Sequence, residues 1–240
     1  AFPEVNWQKF NLDFFKRLDL QANTVPTQIL PYDNWLVFFQ ALHLTNSILL
    51  DFSQDMWRYI SNDYLKLRAV EGEIGSSTMP QKVNPIDFEN AEGNLGIANT
   101  LLEQFIRKLP VSRLQRDLSD STVRRNFGAA LGYCLIAYSS ISRGLNRVEA
   151  NQAKIKSDLE NHWEVVAEGA QTILRAAKIP KSYEKLKTLT RGKEFSEKTY
   201  LEWIDDLDVD ENLKAKLREL SPQSYIGLSE EIAQDVLDSL

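Results

Sequence analysis

Residues 75–85 read Gly-Ser-Ser-Thr-Met-Pro-Gln-Lys-Val-Asn-Pro. Ser76 and Ser77 offer hydroxyls, Lys82 a cation and Asn84 amide donors, while Gly72 and Gly75 free the backbone. Asn84-Pro85 predicts a helix start, with Asn84 as cap and proline at the first helical position. Backbone N–H groups at such a start attract anions. A polar connector with a capping asparagine would account for Asn84-Pro85 but not for the rest of the string. The segment 70–84 therefore reads as a polar loop suited to closing on an anionic ligand.

A second group of the same chemistry lies downstream. Arg113, Arg116, Arg124 and Arg125 surround Ser121 and Thr122. Guanidinium groups bind phosphate and carboxylate through a planar fork, and hydroxyls near a helix start add donors. The alternative is a solvated basic face neutralised by Asp117 and Asp120. Taken together with the loop, the cluster reads as an anion pocket.

Other chemistries find little support. His43 lies within an apolar helical run and His162 beside Trp163, so both read as structural. With Cys134 as the single cysteine, no internal disulfide and no zinc site are expected, and a reducing compartment fits. Neither a dinucleotide fingerprint nor a phosphate-binding P-loop motif occurs. A net charge of −6 speaks against general nucleic-acid binding, though not against a local basic pocket. No uninterrupted apolar run reaches bilayer length, so no membrane partner is expected.

The elements that must hold these groups read as helices. Residues 1–32 carry short patches and turn signals at Pro3, Pro26 and Pro31. Residues 33–66 contain neither glycine nor proline and are apolar at Leu36, Val37, Phe39, Leu42, Leu44, Ile48, Leu49, Phe52, Met56, Trp57 and Ile60. That helical spacing with a very wide apolar face predicts burial on nearly all sides, partly against other subunits. A second helix runs from Pro85 to about Lys108, ahead of Pro110, with Asp87 and Glu89 at its positive end. A third, capped by Asp120, Ser121 or Thr122, reaches about Val148. Beyond 149 the helical stretches are shorter and more charged, with breaks near 178–180, 191–192 and 221–222. The expected fold is all-α: a long-helix bundle over 1–148 and a small helical domain over 149–240.

The run 75–85 resembles the signature of the fumarase/aspartase superfamily at every fixed position. The flanks, Lys82 to Asn94 and Leu109 to Asn126, resemble the adenylosuccinate lyase family, as do 161–168 and 183–192. The likeness covers essentially the whole chain but only the C-terminal part of the family's length. Gln81 departs from the histidine common in close relatives and is shared with argininosuccinate lyases, which stand as an alternative, as does a non-catalytic helical oligomerisation module.

The resemblance implies a cytoplasmic homotetramer, without cofactor, whose active sites are shared between subunits. It would release fumarate by β-elimination from adenylosuccinate, giving AMP, and from the succinyl-carboxamide intermediate SAICAR, giving AICAR. Ser76 matches the catalytic base and Glu89 the acid that orients a catalytic histidine. Gln28, Lys82, Val83, Asn84 and Asn90 match substrate-binding positions, as do Arg116 and the run Ser121, Thr122, Val123, Arg124 and Arg125. Neither His43 nor His162 matches the family's general acid, so the chain on its own is expected to be inactive.

Overall fold

A computed structural model describes residues 2–68, 84–180 and 195–240. The chain divides into two compact units, residues 1–149 and 150–240.

The first unit opens with a helix absent from the sequence reading. α1 (Trp7–Arg17) starts where Asn6 accepts a hydrogen bond from the Lys9 amide, a side-chain cap that offsets the missing partners of a first turn. It buries none of its residues. Three long helices follow: α2 (Asp33–Ser61), α3 (Ile86–Lys108) and α5 (Phe127–Leu145). A short α4 (Ser119–Arg124) precedes α5. The third predicted helix is thus two elements. The chain breaks at Arg125–Asn126, where the Asn126 side-chain Nδ2 donates back to the Thr122 carbonyl at 3.1 Å, in competition with continued helix. Asp120, Ser121 and Thr122 consequently lie inside α4 rather than capping it, and the cap position is Leu118.

α3 is the central helix and packs on both α2 and α5. Phe39 of α2 meets Phe105 of α3 and Phe127 of α5, with ring centroids 4.8–5.2 Å apart. At the opposite end Phe88 of α3 lies near Phe52 of α2, and a Cβ on Gly144 of α5 would come within 2.8 Å of the Phe88 ring. Low numbers of α3 therefore meet high numbers of α2 and α5, so α3 runs antiparallel to both. Between the two apolar layers sits a polar one. Asn46, fully buried, donates to Asn99 Oδ1 at 3.0 Å and to Cys134 Sγ at 3.3 Å, and accepts from the Tyr138 hydroxyl. Burial and the neighbouring Cys134 push the Tyr138 phenol up to about 12. Bonds this specific hold the register of three helices that apolar packing alone would let slide.

Two three-residue strands, β1 (Leu65–Leu67) and β2 (Val148–Ala150), pair into a ribbon. The sequence reading expected no strand, and pieces this short carry no visible alternation. The expected all-round burial of α2 is also not met within one chain. Only Phe39, Asn46, Ser53 and Met56 are buried, while Trp35, Val37, Phe38, Leu44 and Ile48 are exposed. Among the described residues α2 is the helix long and apolar enough to cross a membrane by length and composition, at a mean hydropathy of 1.2. The sequence reading had looked for an uninterrupted apolar run, which Gln40, His43, Thr45, Asn46 and Ser47 of α2 break.

The second unit holds α6 (Gln152–Glu160), a 3₁₀ turn (Trp163–Val165), α7 (Val166–Ala176), α8 (Glu197–Asp205), α9 (Glu211–Arg218) and α10 (Ser229–Asp238). Its core gathers Trp163, Val166, Leu174, Tyr200, Ile204 and Leu217. Tyr200 is fully buried, yet its hydroxyl donates to the Leu217 carbonyl at 2.9 Å. Asn151, Ser196 and Asp210 each cap a helix with a side-chain acceptor.

Candidate functional site

Asn84, Glu89 and Asn90 lie at the start of α3. Pro85, not Asn84, occupies the cap position, and its carbonyl accepts from the Phe88 and Glu89 amides at 3.0 and 3.1 Å. Proline lacks an N–H to lose there, and its restricted φ of −77° suits the helix entry. Glu89 is exposed and accepts from the Trp57 indole N–H at 3.0 Å. It lines a groove of about 520 Å³ with Asp51, Asp55, Arg58 and Glu92, a mostly acidic setting. Asn90 is exposed too, and its side-chain oxygen accepts from the Ser140 hydroxyl at 2.9 Å. Ser140 in turn accepts from Arg143, which pairs with Asp87 at 3.2 Å.

The arginine group lies past the other end of the same helix. A cleft of about 830 Å³ is lined by Tyr32, Trp35 and Phe127 together with Ser121, Arg124 and Arg125. Gln28, exposed, directly precedes the lining residue Ile29. Asp120 is 5% exposed and accepts from the Tyr32 hydroxyl at 2.7 Å, with Arg124 at 3.9 Å. Burial, then the bond to Asp120, raises the Tyr32 phenol above its ordinary range. Asp120 Oδ1 and Arg116 Nε are both buried without a hydrogen-bond partner among the described residues. Asp117 is held by the Ser119 hydroxyl, by the Arg113 and Ser119 amides and by Lys108, which keep its carboxyl well below the usual range. The acidic neutralisation weighed from sequence thus exists for Arg113 and Arg124. No ion pair is seen for Arg125 among the described residues. Val123 packs into the Phe39–Phe105 core, and Thr122 spends its carbonyl on Asn126.

The described candidate residues therefore gather in two groups. Glu89 and Lys108 are nineteen positions apart on one straight helix, which at the helical rise is about 30 Å. The sequence reading took the loop and the arginine cluster together as anion-binding groups of active sites shared between subunits. Within one chain the antiparallel packing of α2 and α5 on α3 sets Glu89 and Asn90 at one end of α3 and the arginine cluster past the other. Ser76, Lys82 and Val83 lie outside the described residues. Tyr32, Trp35, Trp57, Asp120 as an anchor, and Ser140 escaped the sequence reading, since each is joined to its partner only by tertiary packing. His43 pairs with Glu103 at 3.2 Å and His162 with Glu164 at 2.6 Å. Among the described residues no cluster of His, Cys, Asp and Glu could hold a metal ion.

A long-helix bundle of this kind is the fumarase/aspartase type of all-α fold, and a lyase family model matches residues 1–98. The model for the adenylosuccinate lyase C-terminal region matches residues 112–226. Adenylosuccinate lyase of Haemophilus influenzae is 50% identical over 234 residues, which is 98% of this chain and 51% of that protein. Those of Buchnera aphidicola and Escherichia coli K12 are 46% and 48% identical, over 98% and 95% of this chain and 52% and 50% of their own lengths. The chain belongs to the adenylosuccinate lyase family. It spans about half the length of the curated relatives it matches.

Proposed function

We propose that this chain carries the base and most of the substrate grip of an adenylosuccinate lyase. The reaction is a β-elimination that releases fumarate, leaving AMP from adenylosuccinate and AICAR from SAICAR. The observation that carries this reading is 50% identity to a named adenylosuccinate lyase across 98% of the chain. Ser76 removes the proton next to a carboxylate. A serine needs its alkoxide stabilised to do so, and Lys82 with the loop amides supplies that charge stabilisation. Lys82, Val83, Asn84 and Asn90 hold the succinyl carboxylates. Arg116, Ser121, Thr122, Val123, Arg124 and Arg125 bind the 5′-phosphate end, and Gln28 holds the substrate from the edge of the same cleft. Binding energy far from the breaking bond then positions it. Glu89 orients a histidine that protonates the leaving nitrogen. His43 and His162 pair with Glu103 and Glu164 rather than with Glu89, and neither matches the family's general acid.

Half-sites about 30 Å apart favour a homotetramer in which one copy's arginine cleft meets another's Asn90 end. The exposed apolar residues of α2 supply surface for that contact. The enzyme so described works in the cytoplasm on small molecules, with no nucleic acid, membrane or cofactor.

The test is fumarate release by the full-length polypeptide carrying these residues, followed by absorbance. Turnover of adenylosuccinate is expected, and Ser76→Ala should lower kcat by at least about 100-fold. Release from argininosuccinate alone would overturn the substrate assignment. Undiminished turnover by Ser76→Ala would overturn the base.

A further inference from the structure

The Asn90 side chain is held so that its orientation follows from donor and acceptor chemistry alone. The Asn94 side-chain nitrogen lies 2.7 Å from the Asn90 backbone carbonyl, so that atom must be the amide N–H₂ of Asn94. The same nitrogen lies 3.2 Å from the Asn90 side chain, which must therefore present its oxygen there. A second path reaches the same oxygen. Arg143 has only donors, so at 2.8 Å it gives a hydrogen to the Ser140 hydroxyl oxygen. Ser140, fully buried, then gives its own hydrogen to Asn90 at 2.9 Å. Arg143 is itself held by Asp87 at 3.2 Å. Hydrogen bonds therefore run one way, from Arg143 through Ser140 to Asn90 Oδ1, with Asn94 as a second donor to the same atom.

Both donors use up the oxygen. The Asn90 Nδ2 group finds no acceptor among the described residues, and the residue is exposed at the start of α3. The N-terminal turns of a helix also favour an anion.

We propose that Ser140, set by Arg143, and Asn94 are positioning residues that lock Asn90 with its two N–H donors outward, so that this position takes a carboxylate oxygen and rejects a hydrogen-bond donor. The proposal rests on the lyase reading for the identity of the carboxylate, that of the succinyl group. Ser140 does not touch the substrate. It fixes which face of a near-symmetric amide the substrate meets, and it removes the cost of turning that amide at each binding event.

The experiment uses the full-length polypeptide and measures KM and kcat for adenylosuccinate in three proteins. Ser140→Ala is expected to raise KM about five-fold with kcat within two-fold, the signature of lost uniform binding. Asn90→Asp keeps an acceptor for Ser140 and Asn94 but turns a carboxylate towards a carboxylate, and should raise KM about 100-fold. A thermal melt of each variant accompanies the kinetics. A Ser140 that served packing alone would lower the melting temperature of S140A and leave KM where it was, which overturns the proposal. An Asn90→Asp enzyme with near-native KM overturns it independently, because that result means the position offers an acceptor. This arm stands even if S140A fails to fold, since Asn90 is at the surface. If the wild type turns over adenylosuccinate while both variants keep its KM, the positioning proposal alone fails. If the wild type releases no fumarate from adenylosuccinate, the lyase reading fails and the proposal falls with it.

Discussion

The two ends of α3 are prepared for their ligands in different ways. At the Asn90 end the chain has already set the side chains. Trp57 donates to Glu89, and Ser140 and Asn94 both donate to Asn90, so orientation is settled before anything binds. At the arginine end the cleft is wider, Arg124 reaches Asp120 only at 3.9 Å, and Arg116 Nε and Asp120 Oδ1 are buried with hydrogen-bonding capacity unspent. The difference follows the chemistry each end faces. An amide has two faces that a ligand distinguishes and must be locked, whereas guanidinium groups offer donors in every productive orientation and are held by charge.

The largest expected effect comes from separating the two ends onto different chains. Asn90→Ala and Arg124→Ala should each cost the full-length enzyme most of its activity. Co-expressed, they should restore roughly a quarter of native turnover, the chance that both chains meeting at one site are intact in their own half. Mixtures no better than either parent would mean that each chain builds its sites alone, and the 30 Å separation would then need another explanation.

A smaller change tests the locked end by itself. Trp57→Phe keeps an aromatic ring but removes the donor to Glu89. One hydrogen bond to a charged group contributes about 1.5–3 kcal/mol, so kcat should fall about 10-fold or more. An unchanged kcat would show that Glu89 needs no setting.

The smallest effect concerns the arginine end and is read in stability. The folded state holds Asp117 ionised through the Ser119 hydroxyl, two backbone amides and Lys108. With its folded value depressed, the stabilisation is present at neutral pH and above the unfolded value near 4. It is lost as pH falls from there towards the lower folded value. Asp117→Asn should therefore lower the melting temperature at pH 7 and match the wild type more closely as the pH drops below 4. A gap that stayed constant over that range would assign the loss to packing rather than charge.

Much of the chemistry was legible as residue types in order. Arg124 was picked out with Ser121 and Arg125 from residue types in order, while Asn90 and the site role of Glu89 came from the resemblance to the family. α1 was missed because its Asn6 cap stands among turn residues, and the third long helix was drawn too long because nothing local marks the Asn126 turn until its side chain is seen to bond Thr122. Trp57 and Ser140 could not have been found. Each is an ordinary residue on a helix face until α3 is laid against it, thirty-two and fifty positions away.

By itself the sequence determined an all-α chain of long and then short helices and the family its motifs resemble, and it set the expectation of anion binding at 75–85 and 113–125. These depend on composition, periodicity and the order of neighbouring side chains, all of which are present in one dimension. Only the tertiary structure decided that Glu89 and Asn90 lie at the opposite end of α3 from the arginine cluster, and that the Asn90 amide faces outward with its nitrogen. The first is a consequence of antiparallel packing around a rigid helix whose length sets the distance. The second follows from donors contributed by separate turns and separate helices, whose meeting no local pattern encodes.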